Sequence, residues 1–71
     1  MNPLKEKRQQ LELTREEISK RLNVSINTIN EWECGRKIPK GYMLIDVAIA
    51  YEMTDSELIE YLEYLKQKRN E

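Results

Sequence analysis

Apolar positions along this chain recur at intervals of three and four, and there are no alternating β-branched runs. Ile18, Ser19 and Leu22 form one stripe, and Ile29 and Trp32 form a second. A third, Leu58, Tyr61, Leu62 and Leu65, carries Ile59 at its edge. Such spacing marks amphipathic helices with one face turned to a core. The small Ser19 in the first stripe lets a neighbouring helix come close. The pattern predicts an all-α fold of five helices, over about residues 3–11, 15–22, 26–34, 42–52 and 55–69.

The helix ends are written in polar residues. Asn2 and Pro3 suit an N-cap and a first helical position. Thr14 with Glu17, and Thr54 with Glu57, each spell a capping box, in which side chain and backbone satisfy each other's free groups. Ser25 is a further N-cap candidate. Asn23 tolerates the left-handed conformation that closes a helix, and Val24 after it is expected to tuck inward. Lys66, Lys68 and Arg69 near the end of the last helix oppose its dipole. On the helix from 26 to 34, Ile26, Asn27, Asn30 and Glu31 are expected to face outward.

Two short capped helices joined by a tight turn, T-R-E-E-I-S-K-R-L-N-V-S-I-N-T-I-N-E-W-E-C-G over residues 14–35, resemble the lambda-repressor-like (Cro/cI, or XRE) helix-turn-helix family. That family's usual text is close to T-Q-E-E-L-A, a G-V-S turn, then a helix ending in E-x-G. The likeness extends outward. Leu4 and Arg8 fit the first helix, and Pro39 the loop after the third. Leu44, Val47, Ala48 and Tyr51 fit the fourth helix, and Met53, Thr54, Leu58 and Ile59 the start of the fifth. It implies a compact lambda-repressor-like DNA-binding domain spanning residues 1–71, with a helix-turn-helix core at 14–35 and an extended C-terminal helix at 55–69.

The resemblance also assigns roles. Ile26, Asn27 and Glu31 would face base edges in the major groove: Asn27 has the chemistry to pair bidentately with adenine, Ile26 to pack on a thymine methyl, and Glu31 to accept from cytosine N4. Thr14, Arg15, Ser25, Arg36, Lys37 and Lys40 would contact phosphates, joined by backbone N–H groups near Cys34. Arg8 and Glu33 match a partly buried ion pair that ties the first helix to the third. Departures from the family text fall at Arg15, where Gln is common, at Glu12 and Glu52, where glycine is usual, and at Gly41, usually a core aliphatic. Strained or reshaped turns are expected at the two glutamates, and a weak start to the fourth helix at Gly41.

Charge changes the picture only when it is located. The net charge is −1, unpromising for a protein that meets phosphates. Residues 1–40 nevertheless carry nine Lys/Arg against six Asp/Glu, and residues 41–71 three against seven. The half that holds the motif is the positive one. With no His, one Cys, no metal-ligand cluster, no nucleophile beside a base and no glycine-rich phosphate loop, the chain reads as neither an enzyme nor a cofactor or metal carrier. No small-molecule ligand is evident. The longest apolar run, Tyr42 to Ile45, is too short for a membrane span, and the lone Cys34 cannot make an internal disulfide, so nothing suggests an oxidising compartment. A cytoplasmic setting, in a bacterium or a phage-infected cell, is expected.

The last stripe runs past the short fifth helix typical of the family, so Tyr61, Leu62 and Leu65 are expected to receive a second copy or a partner regulator, with Leu58 committed to the core. Together these readings point to a sequence-specific transcriptional regulator on a double-stranded operator. The alternative is a protein-interaction module, an antirepressor or antitoxin-like partner that uses the same fold and touches DNA weakly or only in a complex.

Overall fold

A computed structural model describes residues 2–69. Five α-helices follow in order: α1 Pro3–Gln10, α2 Arg15–Leu22, α3 Ile26–Cys34, α4 Leu44–Ala50 and α5 Asp55–Arg69. The fold is all-α, as the spacing predicted, and the boundaries agree closely except at the fourth helix. There Gly41–Met43 forms a 3-10 turn leading into α4, and Tyr51 and Glu52 already belong to the exit turn. Gly41 is exposed with no neighbour near its missing side chain, so nothing packs there to hold a regular first turn.

Every sequence-read cap is in place. Asn2 Oδ1 accepts from the Leu4 and Lys5 N–H groups, the Thr14/Glu17 box is complete, and Ser25 caps the Thr28 N–H. Thr54 and Glu57 bond each other's backbone N–H groups in the same reciprocal way. These bonds hold Glu17 and Glu57 below the ordinary carboxylate pKa; for both, the largest cause is the threonine backbone N–H.

One closing device recurs at four turns. Glu12, Asn23, Gly35 and Glu52 each sit in the left-handed region, with φ of 57°, 55°, 78° and 51°. The next residue's N–H reaches back five positions: Leu13 to Arg8, Val24 to Ser19, Arg36 to Glu31, and Met53 to Ala48. This is the Schellman closure, in which the following side chain commonly packs against the last turn. Leu13, Val24 and Met53 do pack against the core. The turns at Glu12 and Glu52 are therefore not reshaped. They keep the glycine conformation at the steric cost of a Cβ.

The core is built from every helix: Leu4, Ile18, Ile29, Trp32, Val47, Ala50, Tyr51, Tyr61 and Leu65. α2 packs on α3 and α4, while α1 bridges α3 and α5. Ser19 is buried in this arrangement and its hydroxyl is satisfied by the Glu16 carbonyl at 2.7 Å. None of the described helices is long and apolar enough to cross a membrane.

The expectation for α5 needs correction. Tyr61 and Leu65 are 1% and 9% exposed, core residues rather than an open patch, and only Leu62, at 41%, still faces outward. Leu58 is half-buried and lies outside the core cluster. The α5 stripe is thus rotated toward Tyr61, Tyr64 and Leu65. α5 packs along α1 with that face inward: the Tyr64 hydroxyl accepts from Asn2 at the start of α1, and the Tyr61 and Tyr64 rings stack on each other at 6.0 Å. Leu62 is left at the rim of a shallow groove shared with Ile38, Pro39 and Leu44.

Candidate nucleic-acid interface

α3 is oriented by what it buries. Ile29, Trp32 and Glu33 face inward, which sends the opposite face and the N-terminal turn to solvent. Ile26 and Asn27, the first two residues of α3, are exposed. Glu31 is half-buried, four residues beyond Asn27, a spacing that stacks the two on one helix face. Asn30, also half-buried, accepts from the Cys34 thiol at 3.6 Å, a structural contact at the far end of the helix.

A buried ionic hub locks α3 in that orientation. The Glu33 carboxylate receives Arg8 Nε at 2.9 Å, Arg8 Nη2 at 3.0 Å, Arg15 Nε at 3.2 Å and the Tyr51 hydroxyl at 2.8 Å. Arg8 Nη1 also donates to the Leu13 carbonyl, fixing the turn between α1 and α2. The pair between Arg8 and Glu33 is as the resemblance implied. The roles of Arg15 and Tyr51 in it were missed; their distance in sequence gives no signal that they converge on one carboxylate.

The phosphate candidates divide. Arg36, Lys37 and Lys40 are exposed in the loop after Gly35 and enter no ion pair among the described residues. Arg15, at the first position of α2, spends Nε on Glu33, which aims its guanidinium from the hub toward the surface. Ser25 caps α3 and shares a hydrogen bond with the Thr28 hydroxyl.

Two sets of donors that the resemblance implied for phosphate are engaged within the domain. The Thr14 hydroxyl donates to Glu17 Oε1 and accepts the Glu17 N–H, so its proton is already used inside the capping box. The Gly35, Arg36 and Lys37 N–H groups bond Trp32 and Glu31 carbonyls to close α3, so these three are engaged within the domain.

An exposed helix start, joined through the left-handed Asn23 turn to a second capped helix that packs against it and followed by a basic loop, is the geometry of a helix-turn-helix. The chain belongs to that family: the helix-turn-helix family model matches residues 4–58, of the lambda-repressor-like, Cro/cI type. It is accordingly a DNA-binding regulator in the broad sense. No curated protein and no solved structure matches it significantly.

Proposed function

We propose that this protein is a repressor-type or Cro-like transcriptional regulator that binds a two-fold operator as a homodimer in the cytoplasm of a bacterial or phage-infected cell. α3 is its recognition helix. Asn27 reads adenine, Ile26 a thymine methyl and Glu31 a cytosine amine, while Arg15, Ser25, Arg36, Lys37 and Lys40 hold phosphates.

The observation that carries this reading is the exposed first turn of α3, together with exposed Arg36, Lys37 and Lys40 in the segment after the helix, which enter no ion pair among the described residues. Base-edge chemistry and phosphate charge lie on adjoining segments, and the Glu33 hub holds α3 rigid enough to set their register. Nine of the twelve Lys/Arg lie within residues 1–40 against six of the thirteen Asp/Glu, so the net charge of −1 does not describe the half that carries the motif.

Selection of bound sites from a random duplex pool tests the proposal. An inverted repeat with half-site centres about 10 base pairs apart is expected. Recovery of no common sequence, with binding that vanishes at moderate salt, would overturn it and favour the protein-interaction module.

A further inference from the structure

One face of α5 changes character along its length. Leu62, Leu65, Lys66 and Arg69 follow the spacing that stacks side chains on one side of a helix, so they form a stripe that is apolar first and cationic toward the end. The stripe lines a groove of about 290 Å³, open to solvent, whose other residues are Ile38, Pro39, Gly41 and Leu44. Pro39 is buried beneath it. At Gly41 an added Cβ would meet nothing within 4 Å. No carboxylate lines the groove.

That absence stands out against the surrounding charge. Residues 41–71 hold three Lys/Arg against seven Asp/Glu, yet two of those three cations meet here. Lys66 and Arg69 are both exposed, and neither enters an ion pair among the described residues. Opposing the helix dipole needs cations near the end of α5 on any side; it does not call for two on the side that carries an apolar trough. Lys68, in the same turn, lies against Gly35 instead.

We propose that this groove binds a small amphipathic anion, a carboxylate on a short apolar tail. The tail lies against Leu44, Leu62 and Leu65. The carboxylate meets Arg69, whose planar fork suits it bidentately, with Lys66 as a point charge beside it. A volume with room for about ten water-sized groups stands at the small end of ligand sites, which matches a tail of about eight carbons. A partner helix, which lays several side chains in a row, needs more than this. The assignment does not depend on DNA binding. Pro39 and Gly41 flank Lys40 in sequence, however, so the ligand lies against the segment assigned above to phosphate.

Octanoate, titrated into isotope-labelled protein and followed by nuclear magnetic resonance, tests the site. Saturable shifts are expected at the Ile38, Gly41, Lys66 and Arg69 amides and at the Leu44, Leu62 and Leu65 methyls. The Ile45 and Ile49 methyls should stay unmoved, although those side chains are 72% and 70% exposed. Octanol should bind about tenfold more weakly, the worth of one charge-assisted hydrogen bond, and acetate, which has no tail, should leave the methyls unmoved. Lys66→Gln with Arg69→Gln should keep the wild-type helicity and bring octanoate down to the affinity of octanol. Leu62→Glu sets a carboxylate one turn before Lys66 and should abolish the shifts by itself. Equal binding of octanoate and octanol, unchanged affinity in the double glutamine variant, or equal shifts at Ile45 and Ile49 overturns the proposal. Groove shifts that grow with protein concentration alone would give the site to a second copy, and no response to octanoate would leave it to a partner protein; either result overturns the proposal too.

Discussion

The Tyr51 hydroxyl donates to Glu33 Oε2 at 2.8 Å, joining the exit of α4 to α3 through a fully buried carboxylate. Burial first, and the neighbouring Glu33 charge second, raise the phenol's pKa above its ordinary value, so it remains a donor. Tyr51→Phe should cost about 1.5–3 kcal/mol, the worth of a hydrogen bond to a charged group. Glu33→Ala should cost about 3–5 kcal/mol, because it strands Arg8 in a buried site without its counter-charge. Chemical denaturation of the two variants measures both; equal losses would mean that the phenol, not the guanidinium, dominates the hub.

Leu65 and Leu62 provide a direct check on the rotation of α5. Leu65→Ala should destabilise by about 2–5 kcal/mol through lost burial and a cavity. Leu62→Ala, at the groove rim, should fall within about 0.5 kcal/mol of wild type. The reverse order would return α5 to the orientation read from its sequence stripe.

Base reading and phosphate holding separate by substitution. Asn27→Ala should weaken a selected operator by about 1–3 kcal/mol and relax preference at one base pair. Lys37→Ala should weaken operator and scrambled duplex alike and reduce the salt slope by about 1. Titrations of each variant at several salt concentrations report both quantities. Arg15→Ala should lose stability together with affinity, since the same guanidinium serves the hub.

Glu12 sits at φ 57° with an exposed side chain that makes no hydrogen bond among the described residues. Glu12→Gly removes the Cβ clash of the left-handed turn and should stabilise the fold by about 1 kcal/mol, less the added freedom of the unfolded chain. Thermal melting tests this; a lower melting temperature would show that the turn is unstrained.

Acid should loosen the starts of α2 and α5. Glu17 and Glu57 have folded pKa values below their ordinary 4.5. Their stabilisation is therefore complete above that value and drains away as pH falls through the lower folded values. The double variant Glu17→Gln, Glu57→Gln should flatten this acid limb in a stability-versus-pH series, and an unchanged limb would place the acid-sensitive carboxylates elsewhere.

What the sequence determined by itself was local. Caps at Asn2, Thr14, Ser25 and Thr54, the left-handed stop at Asn23, and helix spans set by three-four spacing all depend on groups within five residues of one another, and so they were legible without the fold. The resemblance supplied the base-facing turn of α3 and the Arg8–Glu33 pair. Tertiary packing decided the rest. It brought Arg15 and Tyr51 to a carboxylate 18 residues from each, and it used the N–H groups after Cys34 to close α3. It also chose which side would be buried on α5, whose apolar stripe is wide, and on α4, which is apolar but for Asp46. On α5 the contact with α1 favoured Tyr61 and Leu65; on α4 the buried side is Val47 and Tyr51, leaving Tyr42, Ile45 and Ile49 outside. A wide apolar stripe says that a helix will be covered, but only its neighbours fix the rotation about its axis.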